Sequence, residues 1–181
     1  GDVYLGLVHR LDRPVGGVMV FARTSKAASR LSDQIRKREF KKTYLAVIHG
    51  VPEIREAQLE HYLEKDSRTN TVHVVERTSE TAKKAVLDYV VLDSNSGMSL
   101  VKINLHTGRP HQIRVQFSAS GHPLYGDQKY GSSYNKPGQQ IALWSECISF
   151  IHPTLKTNLV FNSVPPYSYP WNLFGLIFKE T

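Results

Sequence analysis

The sequence has few of the features that define several large classes of protein. Its 181 residues include a single cysteine, Cys147, which excludes an internal disulfide and cannot build a thiolate metal site alone. The flanking letters SECISF are typical of a strand, so we expect a buried, unreactive thiol. No apolar run approaches the roughly 18 residues of a membrane-spanning helix, and no signal peptide opens the chain. We therefore expect a soluble, cytoplasmic protein with no membrane partner.

Positive charge is what the sequence has in excess. Lysine and arginine number 23 against 16 acidic residues, which gives a net charge of +7 and an isoelectric point near 9.5. Such a balance favours a polyanionic partner, because phosphates neutralised by protein cations release their counterions. Charge alone leaves open the alternative of a merely basic soluble protein.

The hydrophobic pattern predicts more strands than helices. Residues 99–106 alternate cleanly, with Val101, Ile103 and Leu105 on one side, and other apolar runs are short. Residues 52–69 are polar and give no firm prediction. The absence of repeated strand–helix–strand alternation indicates an α+β fold with a mixed, largely antiparallel sheet flanked by a few helices. We expect strands at residues 18–22, 44–49, 71–76, 85–92, 99–106, 141–151 and 159–161.

Two helices are predicted from their boundaries. Thr24 or Ser25 is a suitable N-cap for the first helix, whose last turn is basic in keeping with the helix dipole. The second helix starts near Pro110 and should stop at Gly121. Ile113 and Phe117 lie four residues apart in it, on a common face.

An acidic residue among cations marks the first chemical candidate. In VHRLDRPVGG, Asp12 stands between Arg10 and Arg13, just before a proline and two glycines. One interpretation is a surface ion pair in a loop. The other is a carboxylate held ionised to react with an electron-poor centre.

A second cluster lies around the start of the second helix. LHTGRPHQIRVQ places Arg109, His111 and Arg114 near the helix N-terminus, which favours phosphate binding. The guanidinium of Arg114 is suited to bidentate pairing with a carboxylate from another segment, and Asp12 is the obvious candidate. The alternative is a structural arginine that ties the helix to the sheet.

The stretch FKKTYLA places an aromatic side chain beside cations. Tyr44 follows Lys41 and Lys42, a combination that suits a base stacked on the ring with its phosphate held nearby. A tyrosine at the start of a strand can equally be a core residue.

Other patterns argue against metal and nucleotide cofactors. His106 and His111 are close in sequence, but a Gly-Arg-Pro turn separates them and no metal-binding pattern accompanies them. The segment GDQKYG lacks the spacing of a nucleotide-binding loop. We therefore expect no metal and no cofactor.

The motifs together resemble those of the RluA-type pseudouridine synthases. HRLDRPVGGVMVFART is similar to the signature HRLDxxTSG of that family. KKTYLAVIHG, ETAKKAVLDYVVL and TGRPHQIRVQFSASGHPLYGDQKYG follow in the family's order, so the resemblance runs from about residue 4 to about residue 161. It implies an α+β catalytic domain with an RNA-binding cleft, which isomerises uridine to pseudouridine without cofactor or metal.

The resemblance also implies roles for individual residues. Asp12 matches the catalytic aspartate, Tyr44 the tyrosine that packs on the target base, and Arg114 the basic residue that pairs with the aspartate. Arg10 matches the arginine that fills the gap left by the flipped nucleotide. We expect further RNA contacts from Arg13, Lys42, Arg109 and His111.

Two departures from the family pattern leave alternatives. Val15 and Gly16 replace the usual Thr-Ser, and the family's upstream strand segment is missing before His9, so residues 1–181 are interpreted as one truncated catalytic domain. A noncatalytic RNA-binding fragment is the main alternative, and a metal-dependent nuclease using Asp12 is a weaker one. Ribosomal RNA and transfer RNA are both open as substrates, and a monomer is expected.

Overall fold

A computed structural model describes residues 3–178, and a ten-stranded α+β fold organises them. Two helices, α1 (Ser25–Arg36) and α2 (Gln112–Ala119), accompany the strands, and two short 3-10 turns at Trp171–Leu173 and Gly175–Phe178 close the chain. The strands are β1 (Gly6–Leu7), β2 (Gly16–Gly17), β3 (Phe21–Ala22), β4 (Lys41–His49), β5 (Glu56–Asp66), β6 (Thr71–Val75), β7 (Lys83–Asn95), β8 (Met98–Leu105), β9 (Leu143–Ile151) and β10 (Asn158–Asn162).

Eight of these strands form one sheet, which is antiparallel except at one position. Its order is β10-β9-β4-β8-β7-β5-β6, and β2 pairs in parallel with β9 beside this path. Strands β1 and β3 form a separate antiparallel pair. This mixed, largely antiparallel sheet with two helices confirms the α+β fold class. Neither α1 nor α2 has the length and apolar character to cross a membrane, within the described residues.

Side chains on the two faces of the sheet enter different cores. Val101 and Ile103 of β8 are fully buried on the face that α2 covers, together with Ile113 and Phe117 of that helix. Leu100 enters the opposite core, which the C-terminal segment closes with Trp171 and Phe174. The predicted alternation in β8 is therefore confirmed, because each face meets its own apolar layer.

Helix α1 begins where the sequence predicts, but it ends at Arg36, so the other cations of the predicted basic last turn lie beyond the helix. The Thr24 hydroxyl accepts a hydrogen bond from the Ala27 amide, so Thr24 is the N-cap. Leu31 is buried against the end of the sheet, and Ile35 packs beside it. At the other helix, Gly121 has a φ of +82° just after the C-cap Ser120, which confirms it as the stop signal.

The predicted strand over residues 18–22 is only partly correct. Regular pairing covers Phe21–Ala22, because the neighbouring amides bond elsewhere: Val18 donates to the Ser145 carbonyl and Val20 to Nε2 of His9. Conversely, residues 52–69, for which no element was predicted, contain the long strand β5.

Cys147 lies in β9, as expected, but it is half-buried rather than fully buried. Burial raises the pKa of its thiol, so the unreactive protonated form is favoured at neutral pH.

Two glycines permit close backbone contacts beside β9. Gly17 has a φ of +114°, and a Cβ there would lie 2.3 Å from the Ser145 carbonyl oxygen. Gly126 has a φ of +76°, and a Cβ there would lie 2.2 Å from the Gln140 carbonyl oxygen. A side chain at either position would therefore push the two backbone segments apart.

Candidate functional site

Asp12 lies in the loop between β1 and β2, at a small cavity. The loop is a tight turn in which the Val15 amide donates to the Asp12 carbonyl over 2.9 Å. The Asp12 side chain is 27% exposed, so it is accessible from the cavity but partly withdrawn from solvent. The cavity has a volume of about 110 Å³ and apolar walls formed by Leu11, Val15, Leu105, Ile113 and Leu143.

Tyr44 lies in the wall of the same cavity and is 6% exposed. The pairing of β4 with β9 shifts register between Thr43 and Tyr44, at a bulge. Burial raises the pKa of Tyr44 to about 12; the Ser145 hydrogen bond opposes this change, and the negative charge of Asp12 adds to it. Tyr44 therefore keeps its phenolic proton at neutral pH. Tyr44 is therefore a core residue that also lines the cavity, and its role as a stacking face for a base stays a prediction.

Arg114 joins two carboxylates. Its Nη1 lies 3.5 Å from Oδ2 of Asp12, so the predicted pairing is present. The bidentate partner, however, is Asp127: Nε and Nη2 of Arg114 donate to its two oxygens over 2.8 Å and 2.7 Å. The expectation of a bidentate pair with Asp12 is wrong, because Asp127 is fully buried beneath the guanidinium and takes both parallel donors.

The environment of Arg114 keeps it charged and fixed. Burial by itself would lower its pKa, but the hydrogen bond and charge of Asp127, with the charge of Asp12, raise it overall. The guanidinium carbon lies 5.1 Å from the ring centroid of Tyr130, so the planar group is held on a third side.

His111 is the N-cap residue of α2 and is itself held by Tyr130. It adopts a left-handed conformation with φ 51° and ψ 18°. Its Nδ1 lies 2.6 Å from the Tyr130 hydroxyl, which also accepts the Val72 amide over 2.9 Å. Because Nδ1 is the only acceptor within reach of the hydroxyl proton in the described residues, the arrangement that satisfies every group has the hydroxyl donating to Nδ1. The proton of neutral His111 is then on Nε2.

A wider cleft of about 1140 Å³ opens above the cavity. Four of the expected RNA contacts line both the cavity and the cleft, namely Arg10, Lys42, Arg109 and His111, whereas Arg13 lines the cleft only. Burial lowers the pKa of Lys42, whose Nζ lies 5.6 Å from the ring centroid of Phe40. The cations that line the cleft are Arg10, Arg13, Lys42, Lys65, Arg109, Arg114 and Lys129.

Arg109 is more constrained than the other cations of the cleft. Its Nε donates to the Lys84 carbonyl over 3.0 Å, and its amide donates to the Gln112 side chain. The Gln112 side-chain amide in turn donates to the Val86 carbonyl. Only the two Nη groups of Arg109 thus remain to bind a ligand.

All eight residues singled out from the sequence border the cavity or the cleft. Sequence reasoning missed Asp127 and Tyr130 in GDQKYG, where an acid between a glycine turn and an aromatic residue was the available signal. It also missed Lys65 and Lys129 on the far wall. His106 bonds Asp88 at 2.5 Å whereas His111 bonds Tyr130, so the two histidines serve separate contacts.

The fold is that of a pseudouridine synthase domain, and comparison with known proteins agrees. A family model described as RNA pseudouridylate synthase matches residues 1–119. The chain therefore belongs to the RNA pseudouridylate synthase family, which confirms the resemblance seen in the sequence.

Individual relatives cover nearly the whole chain. It is 40% identical over 161 residues to the uncharacterized RNA pseudouridine synthase YjbO of Bacillus subtilis, covering 88% of this chain and 55% of that protein. It is 32% identical to the ribosomal large subunit pseudouridine synthase C of Buchnera aphidicola, covering 96% and 57%. The chain thus spans about half the length of these curated relatives.

A solved structure supports the same fold. Human RNA Pseudouridylate Synthase Domain Containing 1 superposes with a TM-score of 0.79 at 26% identity, over 91% of this chain and 71% of that one.

Proposed function

We propose that this chain carries the reaction centre of an RNA pseudouridine synthase, an isomerase in which Asp12 is the catalytic carboxylate. The observation that supports this most directly is the position of Asp12, 3.5 Å from Arg114 in a small cavity that Tyr44 also lines. The charged partner directs one carboxylate oxygen, and the position of Asp12 in the cavity withdraws most of its side chain from solvent.

The proposed reaction is an internal rearrangement of uridine. The N1–C1′ bond breaks, a C5–C1′ bond forms, the proton on C5 is lost and N1 gains a proton. No electrons are exchanged and no group enters from a donor, so the overall equation is balanced by one proton exchange with solvent. Asp12 acts at the ribose or the uracil either as nucleophile or as base, and the fixed carboxylate serves both routes.

The size of the cavity fits one base that has left its stack. Its 110 Å³ is well below the roughly 300 Å³ of pockets that hold whole drug-sized ligands. A uridine in folded RNA must be extruded to reach it, and Arg10 at the mouth is positioned to fill the vacated place in the stack. Tyr44 then provides the face against which the detached uracil turns.

Ribosomal RNA is the proposed substrate class, with transfer RNA as the alternative. Relatives from Buchnera aphidicola and Haemophilus influenzae are both named ribosomal large subunit pseudouridine synthase C, each at 32% identity. With such a substrate we expect a cytoplasmic protein, and we expect it to be a monomer.

Tritium release from RNA labelled at uracil C5 tests the proposal directly. Wild-type protein should release tritium and leave the RNA uncut, and Asp12→Asn should reduce the rate ~10³-fold or more while RNA binding persists. Asp88→Asn is the matched control, because it removes a carboxylate from the exposed sheet surface at His106. Full activity in Asp12→Asn would refute the role of Asp12. RNA binding with no product from wild-type protein would favour the noncatalytic alternative, and cut RNA would favour a nuclease.

A further inference from the structure

The excess positive charge is confined to one part of the chain. Residues 10–42 contain ten lysines and arginines and three acidic residues, a net charge of +7. The rest of the chain contains thirteen of each sign and is neutral in total. The net charge of the protein therefore resides in the segment that runs from the Asp12 loop through α1 to the start of β4.

A cationic groove lies along α1, separate from the Asp12 cavity. It has a volume of about 680 Å³ and lies between the helix and the turn that joins β9 to β10. Four cations line it, Arg30, Arg36, Lys37 and Lys156, against the carboxylates of Asp33 and Glu39.

The acidic residues only partly neutralise this groove. Asp33 is shared by two cations: it pairs with Arg36, and with Lys37 at 2.9 Å. Lys156 has no ion-pair partner within residues 3–178. The groove thus retains a net positive charge.

The helix that carries these cations is firmly attached to the sheet. The Gln34 side chain exchanges two hydrogen bonds with the Ile151 backbone, at 2.8 Å and 2.9 Å, and so caps the end of β9. Nη1 of Arg30 donates to the Pro153 carbonyl over 2.8 Å. Such a rigid scaffold lowers the entropy cost of presenting charges to a ligand.

The groove and the cleft above Asp12 share the C-terminal end of α1. Ile35 lines the cleft, while its neighbours Gln34 and Arg36 line the groove. After the helix the chain reaches Lys41, which is exposed, and Lys42, which lines the cleft. The groove and the cleft therefore adjoin at this end of the helix, and we refer to their cations together as the cationic surface.

We infer that this surface binds the sugar–phosphate backbone of the RNA that flanks the target uridine, an inference that rests on the proposed function. Its composition favours a polyanion over a protein partner. Among the residues that line the groove in the described part of the chain, Ile151 alone is apolar. Protein interfaces are usually anchored by buried aromatic and apolar side chains, whereas phosphate binding needs mainly cations and hydroxyls. Ser29 and Ser32 supply the hydroxyls.

Two protein variants with the same change in total charge test the inference. The groove variant is Arg36→Gln/Lys37→Gln/Lys156→Gln. The control variant is Arg77→Gln/Lys83→Gln/Lys136→Gln, at exposed positions that line neither the groove nor the cleft. Each is titrated at several salt concentrations with two probes: a short single-stranded oligonucleotide containing one uridine, and a hairpin with the same uridine beside two turns of duplex.

The groove variant should bind the hairpin about tenfold or more weakly than wild type, with a salt slope shallower by roughly 1 to 3. The affinity of the groove variant for the short oligonucleotide should stay within about threefold of wild type. The control variant should bind both the oligonucleotide and the hairpin within about threefold of wild type. In the tritium assay with the hairpin as substrate, the groove variant should show a higher KM and an unchanged kcat.

Equal losses in the groove and control variants would overturn the inference, since total charge would then account for binding. Unchanged hairpin binding in the groove variant would also overturn the inference, and it would favour an acidic protein as the partner of the groove. If wild-type protein released no tritium but the groove variant still lost hairpin binding selectively, the proposed isomerase function would fail while the inferred surface stood.

Discussion

Arg114 and Asp127 form a buried, bidentate ion pair beneath the proposed reaction centre. Both bonds are short, at 2.7 Å and 2.8 Å, and the Asp127 carboxylate is also the acceptor for the Lys129 and Tyr130 amides. Asp127 uses Nε and Nη2 of the guanidinium, so Nη1 is the group that reaches Asp12. Asp127 therefore fixes the orientation of the guanidinium that pairs with Asp12.

The first prediction concerns that pair. Asp127→Leu should lower the free energy of unfolding by about 3–5 kcal/mol, because it leaves the Arg114 charge buried without its main partner. The double variant Arg114→Met/Asp127→Leu should be more stable than the single variant, since no unpaired charge remains. Urea unfolding of both, with wild type, measures the difference. A double variant that is less stable than Asp127→Leu would contradict this account.

The second prediction concerns the proton on His111. Tyr130→Phe removes the hydroxyl that bonds Nδ1 while keeping the ring beneath Arg114, so His111 should populate both neutral tautomers. Nitrogen-15 NMR of the imidazole reports the tautomer. We expect the free energy of unfolding to fall by about 1–2 kcal/mol, because the Val72 amide loses its acceptor.

Tyr134→Phe is the control for Tyr130→Phe, since Tyr134 is 58% exposed. It should change neither the His111 tautomer nor the stability. An unaltered tautomer in Tyr130→Phe would show that the hydroxyl does not set the proton position.

The third prediction separates the ring of Tyr44 from its hydroxyl. If the ring is the stacking face, Tyr44→Phe should keep kcat within about tenfold, whereas Tyr44→Leu should lose ~100-fold or more. Because the pKa of Tyr44 is about 12, its ionisation does not contribute to the pH profile near neutrality, and the Phe variant should show the same profile. Single-turnover tritium release, followed over a range of pH, measures the rates of both variants. Equal losses in Phe and Leu would assign the role to the hydroxyl instead.

The fourth prediction concerns pH and His9. Burial, together with the charge of Lys42, lowers the pKa of His9 to about 4, below an ordinary value near 6.5. Between about pH 4 and pH 6.5 the unfolded chain binds a proton at His9 that the folded protein does not bind. His9 therefore stabilises the fold above about pH 6.5, and this contribution is lost as the pH falls towards 4. The lost contribution is at most about 3 kcal/mol.

Comparison with His9→Gln isolates this residue from the other titrating groups. The Gln side chain can still accept the Val20 amide but does not titrate. The stability difference between wild type and His9→Gln should shrink as the pH falls from about 7 to about 5. A difference that stays constant over that range would contradict the prediction.

Sequence patterns predicted the elements whose burial alternates or whose ends carry caps. Strands β8 and β4 and the start of α1 follow their patterns because apolar side chains and a threonine cap determine them locally. Strand β5 was not predicted, although Ala57, Leu59 and Leu63 recur at even spacing, because its solvent face is strongly polar. Residues 18–20 failed as a strand because the Val20 amide donates to the side chain of His9 and not to the backbone of a neighbouring strand.

The site was predictable residue by residue but not as a network. Asp12, Tyr44 and Arg114 were found from motifs, and all three border one cavity. The double use of Arg114 could not be predicted, because it depends on a fully buried carboxylate, Asp127, thirteen residues further along the chain. Tertiary packing decides which carboxylate accepts the two parallel hydrogen bonds of Arg114. The spacing of residues in the sequence does not reveal this choice.

Gly17 and Gly126 have a consequence for how this centre can be damaged. Gly17 follows the Asp12 loop and Gly126 precedes Asp127, and each rests against the backbone of residues 140–145 with no room for a methyl group. The backbone beside the Asp12 loop and the backbone beside Asp127 thus both pack closely against this one segment. Replacing either glycine with alanine would change no polar side chain, yet we expect it to lower the activity as a substitution within the site would.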